Sequence, residues 1–164
     1  MDSKGNNPSL QNQLIEQAKA ILKKLLLFFP IEKEFSLQAQ ESDGKIKIEI
    51  NGINSGLVIG KQGKNLYALE YVLNRIFQNQ TGSKIKIELD CDDYKKRQKA
   101  RLEKLAYETA EEVRQTGASV ALGPMSARER KIIHLALKDN PYVYTESQGL
   151  HPFRQVVVKP KNNP

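Results

Sequence analysis

Val58-Ile59-Gly60-Lys61-Gln62-Gly63-Lys64-Asn65 is the stretch on which the reading of this chain turns. Two glycines bracket Lys61 and Gln62, and an apolar segment of helical period follows at once. Glycine lacks a Cβ, so it takes positive φ and leaves nearby amides uncovered. The first N–H groups of a helix have no internal partner, and the helix dipole there favours an anion. A phosphate is therefore the natural guest of such a turn. A nucleotide-binding P-loop is excluded by spacing: it needs four residues between its glycines, then Lys and Ser/Thr. Gly56 and Gly60 are separated by three residues, and Gln62 follows Lys61.

The flanks place this turn in a pattern. Upstream, Leu14, Ala18, Ile21, Leu22, Leu25 and Phe29 recur at helical spacing, with Ser9 as cap and Pro30 as stop. Phe35, Leu37 and Ala39 alternate, Ser42-Asp43-Gly44 turns, and Ile46, Ile48 and Ile50 alternate with Lys45, Lys47 and Glu49. This predicts a hairpin with one wet face. Leu57 to Ile59 allows one turn of helix. After the glycines, Leu66, Leu69, Val72, Leu73, Ile76 and Phe77 form a helical stripe that Thr81-Gly82 breaks. Ile85, Ile87 and Leu89 predict a third strand. The order α-β-β-α-(G-x-x-G)-α-β resembles the bacterial, type II, KH domain, a module that grips a single-stranded backbone at its G-x-x-G loop.

Asp90 to Asp93 reads as a domain joint, with Asp92 or Asp93 placed to cap a long helix over 94–114. That helix buries Leu102, Leu105, Ala106, Thr109, Ala110 and Val113, and Gly117 ends it. Its first half carries Lys95, Lys96, Arg97, Lys99, Arg101 and Lys104 against Glu103 alone. Positive charge near a helix start opposes the dipole, so local stability does not account for it. A solvated face and a phosphate-facing stripe both fit. Val120 to Leu122 is a short strand, and Ser126 with Glu129 forms a capping box. The next helix buries Ile132, Ile133 and Ala136, carries Arg130 and His134 four apart on one face, and ends at Asn140-Pro141. Strands over 142–146 and 153–159 close the second half. The domains read as 1–9 disordered, 10–90 KH, 91–160 a second module, and 161–164 a tail.

The chain of 164 residues has a net charge of +7, from 26 Lys and Arg against 19 Asp and Glu. Residues 91–164 hold 14 basic and 9 acidic residues, against 12 and 10 in residues 1–90. Such a balance suits a polyanionic partner. Cys91 is the single cysteine, so no intrachain disulfide forms and a cytoplasmic location is expected. Two His and one Cys argue against a classical zinc site, and no cofactor is expected. The longest apolar run, Leu25 to Phe29, is too short to span a bilayer.

Arg130-Lys131-Ile132-Ile133-His134 alone carries little. Its context carries more: Arg114-Gln115-Thr116-Gly117, Val120-Ala121-Leu122-Gly123-Pro124-Met125, Glu129 through Leu137, and Thr145-Glu146-Ser147. Together these closely resemble the Jag family, the SpoIIIJ-associated or KhpB proteins of bacteria. The resemblance covers roughly residues 35–160. It implies an α+β fold in two modules: a KH domain with a three-stranded sheet and helices, then a small Arg-x-x-x-His domain with a three-stranded sheet and two helices. Many members also carry an N-terminal Jag domain and linker; here only the first helix precedes the KH strands.

The resemblance further implies binding of single-stranded RNA, with single-stranded DNA as the other candidate. It implies a role in post-transcriptional control linked to cell elongation, division or sporulation, and pairing with a small KH protein or a second copy. The site residues that follow are Gly60, Lys61, Gln62, Gly63 and Lys64 in the first module. In the second they are Arg130 and His134, with Lys131 and Arg154 secondary. Bases are expected along a groove of Leu57, Val58 and Ile59 facing the second strand, with Ile59 turned to the core. Members commonly have acids and two adjacent arginines after the Ser147 loop, where this chain has Leu150-His151 and Arg154-Gln155. An assembly scaffold is the alternative reading. Catalysis is disfavoured: Asp90, Asp92 and Asp93 sit at a strand end and helix cap, and no nucleophile is spaced to work with His134.

Overall fold

The computed structural model describes residues 8–31, 34–52 and 55–161. It divides into two compact units, ending at Tyr94 and beginning at Lys95. The expectation of a disordered start over residues 1–9 is corrected at Pro8 and Ser9, which belong to the first helix, and up to residue 7 it lies outside the described residues. No helix among them is long and apolar enough to cross a membrane.

In the first unit, helix α1 (Pro8–Leu26) precedes the hairpin β1 (Ser36–Ser42) and β2 (Lys45–Asn51). The short α2 (Ser55–Ile59), a 3-10 turn (Lys61–Gly63), α3 (Lys64–Thr81) and β3 (Lys86–Cys91) follow. The sheet order is β1-β2-β3, antiparallel then parallel. Asp43 and Gly44 have φ of 56° and 69°, the two left-handed residues of a type I′ hairpin turn. Ile46, Ile48 and Ile50 are buried beneath Leu22 and Leu26 of α1 and Leu66, Leu73 and Phe77 of α3, while Lys45, Lys47 and Glu49 line the other face. Each such apolar side chain contributes about 1.5–3 kcal/mol.

The edge strand β3 is covered from α3. Asn74 accepts the Ile87 N–H through Oδ1 and donates through Nδ2 to the Ile87 carbonyl, both at 2.8 Å. Glu70 accepts the Leu89 N–H at 2.9 Å. An edge whose backbone groups are met this way cannot recruit another strand there, and α3 is fixed against the sheet with the glycine turn at its start.

Three details depart from the sequence reading. The first helix starts at Pro8, so Ser9 lies inside it, and it ends at Leu26 rather than at Pro30. The chain there tightens, with Phe28 and Phe29 donating to Leu25 and Leu26, which exposes Leu27 and Phe28 and returns Phe29 to the core. Cys91 closes β3 and is buried in the first core, not in the joint. Asp92 and Asp93 have left-handed φ of 49° and 54°, unlike the extended backbone of a usual N-cap, and Glu49 accepts the Asp93 N–H at 3.0 Å.

The second unit contains α4 (Tyr94–Thr116, its first residue belonging to the first unit), β4 (Val120–Ala121), α5 (Ala127–Ala136), β5 (Val143–Gln148) and β6 (Gln155–Pro160). The sheet order is β4-β6-β5, antiparallel throughout. Leu102, Ala106, Ala110 and Val113 of α4 pack with Ile133 of α5, Leu137, and Val143, Val156 and Val158 of the sheet. The helix stops at Ala136, ahead of Asn140-Pro141. Both units have the α+β architecture that the sequence implies: a three-stranded sheet with helices in each.

Candidate nucleic-acid interface

The glycine turn is locked by packing as well as by conformation. Gly60 has φ 68° and ψ 177°, a region essentially reserved to glycine, and a Cβ there would lie 2.6 Å from Cγ of Asn65. Asn65 is fixed in turn by donating from Nδ2 to the Leu57 carbonyl at 2.9 Å. Gly63 is buried, with φ 75°, and its Cβ would meet the rings of Tyr94 at 2.8 Å and Tyr67 at 3.0 Å. Between them Gln62 takes a left-handed φ of 55°. Lys61 and Lys64 are both exposed on this rigid turn.

The amides are less available than the sequence suggests. The Gly60 N–H donates to Gly56, the Gly63 N–H to Gly60 at 3.1 Å, and the Lys64 N–H to Lys61. The turn's positive character therefore rests more on the two ammonium groups than on a bare helix end. The expected groove also changes. Ile59 is turned to the core as expected, but Val58 is fully buried too, leaving Leu57 as the residue of that trio at the surface. One turn of helix cannot direct three consecutive side chains to one side.

In the second unit, α5 is positioned by a complete capping box. Ser126 Oγ accepts the Glu129 N–H, and Glu129 Oε2 accepts the Ser126 N–H at 2.8 Å. Glu129 is buried, and its Oε1 accepts from Gln98 Nε2 of α4 at 2.8 Å. Arg130 follows directly. Its Nε is buried and lacks an acceptor among the described residues. His134 lies one turn on, and both of its ring nitrogens are engaged by β5: Nδ1 with Thr145 Oγ1 at 2.6 Å and Nε2 with Ser147 Oγ at 2.8 Å. Arg154 Nη2 reaches the Ser147 carbonyl at 3.5 Å.

The structure thus brings His134 and Arg154 together at Ser147, with Arg130 close enough to His134 to act on its charge. Lys131 is exposed, about 100° around the helix from Arg130. Thr145 and Ser147 belong to this cluster although no role was expected of them individually. The signal for them was strand period, since residues 143, 145 and 147 share the inward face of β5.

Burial, and then the Arg130 cation, lower the pKa of His134 below its ordinary 6.5. The imidazole is therefore held neutral at pH 7, with one nitrogen donating and one accepting. The unfolded imidazole takes up its proton at higher pH than the folded one, so this contribution is complete above about pH 6.5 and is lost as pH falls below it. Urea midpoints from about pH 7.5 to 5.5 should fall more steeply for the native chain than for His134→Gln. Parallel curves would show that His134 is not the group responsible.

A family model for the domain named after its Arg-x-x-x-His motif matches residues 100–160, and one for the KhpA/KhpB KH domain matches residues 16–89. The RNA-binding protein KhpB of Clostridium symbiosum is 33% identical over 153 residues, covering 93% of this chain and 67% of that protein. The RNA-binding protein KhpB of Bacillus subtilis (strain 168) is 32% identical over 149 residues, covering 90% of this chain and 71% of that protein. The protein of the same name from Lactiplantibacillus plantarum is 46% identical over 104 residues, 63% of this chain and 32% of its own length.

Proposed function

The chain belongs to the KhpB family, and from that premise we propose that it binds single-stranded RNA through two separate phosphate sites. The observation that carries this reading is the glycine-locked turn, which holds Lys61 and Lys64 outward at the start of α3. Gly60, Lys61, Gln62, Gly63 and Lys64 grip the backbone of the strand there, as KH loops do. In the second unit Arg130 is the phosphate ligand, on the same face of α5 as His134. A guanidinium offers a planar fork to phosphate oxygens. His134 acts through position: bound to Thr145 and Ser147, it holds α5 on β5 and leaves the cation to Arg130. Arg154 and Lys131 add charge around the site. Two linked sites on one strand raise affinity through effective concentration.

In this reading the protein works in the cytoplasm in post-transcriptional control linked to elongation, division or sporulation, and it binds without catalysis or cofactor. Equilibrium binding of a single strand across salt concentrations tests it. About four phosphate contacts give a slope of roughly −3 in log K against log salt. A slope near zero would remove the electrostatic basis of the reading.

One observation favours a second role as an assembly scaffold. Leu25, Phe28, Phe29, Leu69 and Val72 line an open apolar groove between the end of α1 and α3, and Phe28 is 87% exposed. A second KH protein, or a second copy of this chain, is the partner such a surface suits. Mass measured across concentration, with and without RNA, separates this from a monomer that binds RNA alone.

A further inference from the structure

The loop from β5 to β6 carries the most exposed large apolar side chains of the second unit, Leu150 at 83% and Phe153 at 73%. It is nevertheless a folded loop. The Phe153 N–H donates to the Leu150 carbonyl at 2.8 Å. Gly149 has φ 87°, and a Cβ there would lie 3.2 Å from the Phe153 carbonyl oxygen. The loop's far end is tied down as well, because the Arg154 carbonyl accepts the Met125 N–H at 3.1 Å, next to the Ser126 cap of α5. Its near end is tied through Ser147, which meets both Arg154 and His134.

The exposed Phe153 thus precedes Arg154 in a folded loop, and Arg154 shares Ser147 with His134 of the helix that carries Arg130. Gly149-Leu150-His151-Pro152-Phe153 contains no acid to repel a phosphate strand. A single exposed apolar residue is ordinary; an exposed ring in the same loop as Arg154 offers the pairing that single-strand binders use, bases on aromatic faces and cations along the backbone. A protein partner is less well matched, because two apolar side chains among cations fall far short of the area of a specific protein interface. We propose that Phe153 is a stacking platform for one base of the strand whose phosphate is held by Arg130 and Arg154. This rests on the reading of that cluster as a phosphate site. Because the loop is already folded, little ordering opposes the contact.

The test uses the full chain and a single-stranded RNA carrying 2-aminopurine at successive positions, with matching strands that lack one base. One position should be quenched on binding. Phe153→Ala should abolish that quenching and weaken binding roughly tenfold, and Phe153→Tyr should restore both. Removing the base at that position should weaken binding to the unaltered chain by a similar factor, and Phe153→Ala should then add nothing. The base-deletion arm reads the contact even if the alanine variant fails to fold. Unchanged quenching and affinity in Phe153→Ala, with Arg130→Ala still weakening binding, would overturn the platform and leave the phosphate site standing. Unchanged affinity in both variants would overturn both, and would point to a protein as the loop's partner.

Discussion

The double replacement Lys61→Asp with Gln62→Asp is expected to weaken single-strand RNA binding about ten- to a hundredfold while the chain stays folded. A charge-assisted hydrogen bond is worth about 1.5–3 kcal/mol, and each 1.4 kcal/mol is tenfold in affinity. The replacement removes one ammonium group and sets two carboxylates against phosphate, so the loss lies at the upper end of that range. The fold tolerates it for local reasons. Lys61 is exposed and outside the core, and Gln62 occupies a left-handed conformation that aspartate accepts more readily than most residues. The glycines remain, so the packing of Asn65, Tyr67 and Tyr94 against them is untouched. Fluorescence anisotropy with a labelled strand reads the affinity, and circular dichroism reads the fold. Native affinity in a folded double variant would mean that the glycine turn does not contact the strand.

Most of the fold was legible because its signals are local. Alternating Ile46, Ile48 and Ile50 against Lys45, Lys47 and Glu49 fixes which face of the sheet is buried. Asp43-Gly44 supplies the turn residues, Gly82 the left-handed helix end, and Ser126 with Glu129 the helix start. What was not legible depends on contacts distant in sequence. Pro30 marks a stop, but the helix ends four residues earlier because Phe29 packs back on the core. Val58 lies in an apolar run that reads equally as groove or core, and only the sheet above it decides. Positive φ at Gly60 was foreseeable; the internal bonds that occupy the turn's amides were not.

The same division runs through the second site. Arg130 and His134 four apart on a helix share a face, and that much is arithmetic. Their division of labour is set by β5. Thr145 and Ser147 take both imidazole nitrogens, and in the proposed reading this makes the histidine a brace and leaves the arginine as the charged group. No spacing within α5 could have disclosed this, because the two hydroxyls lie 11 and 13 residues away on another element.

The central claim is that two separate sites hold one strand, and the binding of Arg130→Ala to a long and a short single-stranded RNA tests it most directly. Removing the guanidinium should cost about 1.5–3 kcal/mol, or roughly ten- to a hundredfold, for a strand long enough to reach both sites. The apolar face of α5 at Ile133 and the capping box at Ser126 and Glu129 are unaltered, so the second unit should remain folded. A short oligonucleotide that fills only the glycine-turn site should bind the variant as it binds the native chain. That result, a large loss on the long strand with none on the short one, is what the two-site account predicts. Equal affinity of the folded variant and the native chain for the long strand would contradict it.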